Sequence, residues 1–171
     1  SSRLPVLIVA AAYRTIGRYI KEKVLPLTSH TAADKQTHSL GDLQITVRND
    51  NNVVTSYEMK MKKVTMDDVN IALQKLASYK KRIDNYIFIT TDEINEEVQD
   101  YCKSLYEQTG GVEFVILDCL SFLKHFLHLF HRHRLQYLEE YQKLVLSEPD
   151  SSVSKPLKEA FLALRQAAES D

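Results

Sequence analysis

The chain has 171 residues, 44% of them hydrophobic and 26% charged, which is the size and make-up of one globular domain with a sizeable core. No apolar run nears the roughly 20 residues of a membrane span, and two cysteines, Cys102 and Cys119, make neither a disulfide scaffold nor a zinc site, so a cytoplasmic protein without a membrane partner is expected. A formal net charge of −1 speaks against a protein that coats nucleic acid nonspecifically.

The chain opens on Ser1-Ser2 without a methionine, as a trimmed piece of a longer protein would. The apolar stretch Leu4 to Ala12 lacks a basic flank and a cleavage-like site, and it leads straight into a helical pattern. Residues 4–24 read as a helix, with Ala10, Tyr13, Gly17, Ile20 and Val24 on one stripe. Leu27 to Ser39 is polar and aperiodic, a loop. The period then changes to two: Leu43, Ile45 and Val47 alternate with Asp42, Gln44 and Thr46. Arg48 to Asn52 reads as a five-residue loop, and a second strand runs from Val53 to about Met61. Thr65 caps a helix to about Lys81, with Asp67 and Asp68 in its first turn and Val69, Ala72, Leu73, Leu76 and Ala77 turned inward.

Tyr86 to Thr90 reads as a strand, Asn95 to Gln108 as a helix ended by Gly110-Gly111, and Val112 to Leu117 as another strand. One long amphipathic helix follows, with Leu123, Phe126, Leu127, Phe130, Tyr137, Tyr141 and Val145 on one side. Glu148 to Val153 is a linker, and Ser154-Lys155-Pro156 opens a last helix. This order predicts an α/β domain, a mixed sheet with helices on both sides.

The hairpin carries the chemistry. A five-residue loop places Val47 opposite Val53 and Asp42 opposite Glu58. Leu43, Ile45, Val47, Val53, Tyr57, Met59 and Met61 then face the core. Asp42, Gln44, Thr46, Ser56, Glu58, Lys60 and Lys62 form a largely polar face. Two opposed carboxylates repel unless a cation or proton lies between them. Magnesium takes one or two carboxylates and leaves its other positions to water and phosphate oxygens. Asp42 and Glu58 are therefore the candidate metal ligands, with the Met59 carbonyl as a further one. Lys60 would hold the attacking water and the phosphate. The competing account is that Glu-x-Lys and an upstream Asp are common on solvated strands.

Gly41-Asp42-Leu43-Gln44-Ile45, then Tyr57-Glu58-Met59-Lys60, then Tyr86-Ile87-Phe88-Ile89, resembles the PD-(D/E)xK nuclease superfamily, and within it SacI-type type II restriction endonucleases. The similarity runs from about Val6 to the C-terminal helices. Only the hairpin motif is specific, and the rest matches in order of elements. Leu40-Gly41 stands where the superfamily's name has a proline, and the long helical region that SacI-like enzymes carry ahead of the core does not fall within these residues, as expected of a fragment.

The resemblance implies a restriction-endonuclease-like mixed β-sheet flanked by helices, with C-terminal helices. It implies one domain over 1–171, with its core at about 4–118 and a helical part at about 119–171. It implies a Mg²⁺-dependent endodeoxyribonuclease, with Mn²⁺ able to substitute, that acts on double-stranded DNA as a homodimer. The alternatives are a repair or junction-resolving nuclease of the same fold, or a catalytically inactive DNA-binding module.

Glu22 stands where superfamily members place an accessory acid, although Lys21 and Lys23 beside it also suit a solvated helix face. From Glu58 to Arg82 seven Lys/Arg face three acids, a locally basic stretch that makes Lys62 and Lys63 candidate DNA contacts. Arg132 and Arg134 are further candidates. The loop from His30 to His38 could also touch DNA. His125, His128, His131 and His133 have no acid or cysteine beside them, so packing and a basic rim are favoured over zinc. Gln74 and Tyr79 lack the spacing of the Gln/Tyr motif of related exonucleases and are left unassigned.

Overall fold

The computed structural model describes residues 2–27 and 40–170, so the segment from His30 to His38 lies outside the described residues. The elements are α1 (Arg3–Ile20), β1 (Glu22–Val24), β2 (Leu43–Val47), β3 (Asp50–Lys60), α2 (Met66–Ala77), β4 (Arg82–Thr90), α3 (Glu96–Gln108), β5 (Glu113–Asp118), α4 (Cys119–Leu129), a 3-10 turn at His131–His133, α5 (Arg134–Ser147) and α6 (Lys155–Ser170). The five strands form one sheet in the order β1-β2-β3-β4-β5. The first three are antiparallel, and β3, β4 and β5 run parallel.

Because the parallel strands follow one another in order, both crossovers, β3-α2-β4 and β4-α3-β5, wind in one direction and put α2 and α3 on the same face. There Val54, Tyr86, Phe88, Phe114 and Ile116 of the sheet pack with Val69, Ala72, Val98, Cys102 and Leu105 of the helices. On the other face Leu43, Ile45, Tyr57, Met59, Ile87 and Ile89 meet α1, Phe126 of α4 and Tyr137, Leu144 and Val145 of α5. The result is a three-layer mixed α/β domain. Among the described residues no helix is long and apolar enough to cross a membrane.

The structure departs from the periodicity at several places. The first helix stops at Ile20, not Val24. Lys21 takes the left-handed conformation (φ 58°) and donates its N–H to the Gly17 carbonyl. That turn sends Glu22–Val24 back as β1, paired with β2. Gly17 is required there, because a Cβ on it would meet the Glu22 carbonyl at 2.6 Å. The stripe from Ala10 to Val24 hid this strand.

The long helix after β5 is two helices. Phe130 leaves the helical conformation (φ −108°, ψ 44°), and the Arg134 guanidinium donates to the Leu127 carbonyl at 2.7 Å, satisfying an end that the break exposes. The apolar stripe survives the break because the rings of Phe126, Tyr137, Tyr141 and Phe161 contact one another in sequence across α4, α5 and α6. The helix α2 ends at Ala77, which is exposed, and β4 begins at Arg82 with Asp84 as a bulged residue.

Candidate active site

The β2–β3 register places the motif. Leu43 opposes Tyr57, Gln44 opposes Ser56, Ile45 opposes Thr55 and Thr46 opposes Val54, as the alternation predicts. The loop does not match the expectation. Val47 pairs with Asp50 across a two-residue turn, and a bulge beside Thr46 absorbs the extra residues that had been read as loop. The polar run Asp50-Asn51-Asn52 is thus the start of an eleven-residue strand.

Asp42 lies one step beyond the paired residues and is not paired with Glu58, the partner that the five-residue loop predicts; it bonds back to Tyr57, the partner of Leu43. Its backbone N–H donates to the Tyr57 carbonyl, and its Oδ2 accepts the Met59 N–H, both at 2.8 Å. Gly41 makes the approach possible. It has φ +75°, and a Cβ on it would meet the Tyr57 carbonyl at 2.5 Å. Gln44 Nε2 and Ser56 Oγ both donate to the Leu40 carbonyl, which pins the segment leading into Asp42. Gln44 also donates to the hydroxyl of Tyr79 at 2.9 Å, which gives that tyrosine a structural partner.

The polar face of the hairpin is covered, not solvated. Thr46 and Ser56 are buried and Glu58 is only 9% exposed. Glu58 Oε1 lies 2.8 Å from Lys60 Nζ. Its Oε2 accepts the Tyr86 hydroxyl and lies 3.8 Å from Lys75 Nζ. Lys60 Nζ is also 2.9 Å from Asp68 Oδ1. Burial acts to lower the Lys60 pKa, but its bonds to Glu58 and Asp68 outweigh that and hold the ammonium above its ordinary value. Burial likewise acts to raise Asp68, yet the bonds from Lys60 and Thr65 keep its carboxyl below the usual range. The Tyr86 phenol is pushed up by burial, then by the charge of Glu58 and, more weakly, of Asp42. Glu58 therefore binds the Tyr86 hydroxyl directly within the α2/α3 layer.

Glu58 and Lys60 thus meet at the C-terminal end of β3, and the Asp42 carboxylate is tied to the Met59 amide between them. Three further residues join them: Asp68 and Lys75 from α2, seven positions apart and so on one face of the helix, and Tyr86 from β4. Asp68 was visible as a first-turn acid, and Tyr86 as a hydroxyl at the start of an apolar strand. Neither signal shows what it meets in space. Lys62 and Lys63 follow at the same end of the sheet. The Lys62 carbonyl accepts from Thr90, and Lys63 forms an exposed pair with Glu93 at 2.8 Å.

Other candidates lie elsewhere. Glu22 is in β1, level with Val47 beside the hairpin turn and away from the Glu58 end of β3, so it does not enter the cluster. Its neighbours are Asp84 and the Tyr13–Tyr57 hydroxyl pair (2.7 Å) on the other face. Burial first, then the Asp84 charge, raise its carboxyl above the ordinary value. Arg132 and Arg134 are also displaced. The helix α4 starts where β5 ends, two strands from β3, packs on the opposite face of the sheet from α2, and its eleven residues carry the chain about 16 Å from that starting point. His133 packs there on Tyr19, at the far end of α1. Arg134 caps α4 there.

Two carboxylates and a backbone carbonyl are hard oxygen donors, and magnesium commonly takes one or two carboxylates from a protein. Among the described residues no group of three or more His, Cys, Asp or Glu is arranged to hold a metal ion. Any divalent ion here would therefore depend on water or substrate for its remaining ligands. Neither models of known protein families nor curated proteins match this chain.

Proposed function

We propose that this chain is a metal-dependent endodeoxyribonuclease that hydrolyses phosphodiester bonds in double-stranded DNA. The observation that carries the reading is the placement of Asp42 beside the Glu58-Met59-Lys60 segment, its carboxylate bonded to the Met59 amide. Asp42, Glu58 and the Met59 carbonyl would hold Mg²⁺, or Mn²⁺ in its place. When bound, the ion would lower the pKa of a water and neutralise charge on the scissile phosphate. Lys60 orients the attacking water and stabilises the extra negative charge as the phosphorus is attacked. Its bonds to two carboxylates hold it as an ammonium, so it acts as a charge and hydrogen-bond donor, not as the proton acceptor. Tyr86 keeps Glu58 in place through its hydroxyl.

The charges support this reading. Asp42, Glu58 and Asp68 against Lys60 and Lys75 leave one negative charge. A divalent cation together with one phosphodiester brings the cluster to neutrality. Lys75, half-exposed on α2, is the cation free to turn from Glu58 toward a DNA phosphate, and Lys62 and Lys63 extend that basic edge. The finer reading is a type II restriction endonuclease, or its catalytic domain, working in the cytoplasm as a homodimer, since a double-strand break at a palindrome calls for two sites about a two-fold axis.

The test is incubation with supercoiled plasmid in Mg²⁺, in Mn²⁺ and in EDTA, resolved on a gel. Cleavage in either metal and none in EDTA is expected. A four-way-junction substrate cut in preference to duplex would shift the reading to a junction-resolving nuclease. No cleavage in either metal would leave a DNA-binding module.

A further inference from the structure

We propose that Asp68 is a positioning residue of this site, holding the Lys60 ammonium from the α2 side independently of Glu58; the inference rests on the nuclease reading above. The Asp68 carboxylate is divided between two tasks. Its Oδ2 accepts from the Thr65 N–H at 3.0 Å and from the Thr65 hydroxyl at 2.9 Å, which with the returning Asp68 N–H closes a capping box at the start of α2. Its Oδ1 is 2.9 Å from Lys60 Nζ. The cap fixes the carboxylate, and the fixed carboxylate then fixes the lysine.

The neighbouring acid shows that the helix dipole by itself does not call for a buried carboxylate. Asp67 also lies in the first turn and favours the helix dipole, yet it is exposed, whereas Asp68 is 7% exposed and turned inward. Lys60 needs a second anchor for a geometric reason. Its four-carbon stem has many rotamers, and Glu58, two residues earlier on the same strand face, holds the ammonium from one direction only. A carboxylate on another element, locked by its own bonds, keeps the nitrogen in place when Glu58 is engaged elsewhere.

The experiment compares Asp68→Asn, Asp68→Glu and Thr65→Ala with the wild-type chain, after circular dichroism shows each folded. Thr65→Ala removes the hydroxyl half of the cap and leaves both the backbone N–H bond that holds Oδ2 and the Lys60 contact, so it reports the purely structural role. In plasmid cleavage, Asp68→Asn is expected to lose about tenfold to a hundredfold in kcat with KM within about threefold. Asp68→Glu, which keeps a carboxylate suited to the capping box, recovers part of that loss, and Thr65→Ala stays within about threefold of wild type.

A second readout needs no activity. The Lys60 side-chain ammonium signal in ¹H–¹⁵N spectra, assigned with Lys60→Arg, is sharp in the wild type and in Thr65→Ala and lost in Asp68→Asn. A folded Asp68→Asn with wild-type kcat, or an equal kcat loss in Thr65→Ala, overturns the proposal. If the wild type cleaves nothing in Mg²⁺ or Mn²⁺, the nuclease reading fails and the ammonium signal decides the positioning by itself. Its loss in Asp68→Asn supports the proposal, and its persistence overturns it.

Discussion

Asp42 accepts the Met59 amide hydrogen through its side chain, at 2.8 Å, while its own amide bonds the Tyr57 carbonyl. The side chain thus takes the place of the next rung of the β2–β3 ladder, and strand pairing sets where the carboxylate stands. Asp42→Asn keeps an oxygen that can accept the same hydrogen bond and removes only the charge. It is expected to melt within about 2 °C of wild type, to bind Mn²⁺ at least tenfold more weakly by calorimetry, and to lose cleavage. Asp42→Ala should additionally lose stability, by about 1 kcal/mol for the vacated amide. Full cleavage by a folded Asp42→Asn would remove Asp42 from the site.

Glu58 and Lys60 should separate in their effect on metal. Glu58→Gln removes a ligand and leaves Lys60 paired with Asp68, so Mn²⁺ affinity and cleavage both fall. Lys60→Ala frees Glu58 Oε1, so Mn²⁺ affinity is expected to stay within about threefold while cleavage falls by about a hundredfold or more, the range seen on removing a single transition-state donor. Calorimetry on both variants checks this. Equal loss of metal by the two would mean that Lys60 does not act on the reacting phosphate.

Lys75 lies 3.8 Å from Glu58 and is half-exposed, so its expected role is substrate binding. Lys75→Ala should raise KM for DNA, leave kcat within about threefold, and reduce the slope of log affinity against log salt by about one. An unchanged salt slope measured by fluorescence anisotropy would place Lys75 outside the DNA interface.

The Glu22 carboxyl has a raised folded-state pKa, so the fold favours its protonated form. The sign follows from that. Below the ordinary value of 4.5 the residue is neutral in both states and contributes its full stability, and this is lost as pH rises through the raised value. Glu22→Gln is therefore expected to melt higher than wild type at pH 7, with the difference shrinking at pH 4. Melting curves at the two pH values test it, and a lower melting temperature at pH 7 would contradict the assignment.

Leu129, Leu162 and Leu164 are exposed on α4 and α6, beyond the stripe that packs inward. If these helices carry the homodimer contact, the wild-type chain sediments as a dimer at micromolar concentration, and Leu129→Glu or Leu164→Glu returns it to monomer without unfolding it. A monomer that makes double-strand breaks at first-order rate would refute the dimer. Restoring a dimer with nicking converted to double-strand cleavage would support it.

The meeting of Asp42 with the Glu58-Met59-Lys60 segment was legible in the chain because antiparallel pairing is a local rule. Side chains alternate with period two, one face of the hairpin is buried, and a slip by one residue would turn Leu43, Ile45, Tyr57 and Met59 to the wrong side. That constraint fixed the register even though the turn proved two residues long where five were expected. A bulge can absorb residues without changing which face they serve.

Only the tertiary structure decided the rest of the site and two element boundaries. Lys21 turns left-handed because the chain must fold back against Gly17 to add β1 to the sheet edge, a long-range demand that helical periodicity in Ile20 and Val24 does not record. The break at Phe130 is likewise closed by Arg134, seven residues away from the carbonyl it caps. Asp68, Lys75 and Tyr86 reach Glu58 and Lys60 from a helix and a parallel strand. Their positions follow from the β3-α2-β4 crossover and the pairing of Ser56 with Tyr86 and Glu58 with Phe88. Alternation within one strand predicts the face a residue takes. It does not predict which element covers that face, because the covering helix is chosen by burial of Val69, Ala72, Tyr86 and Phe88 across the whole layer.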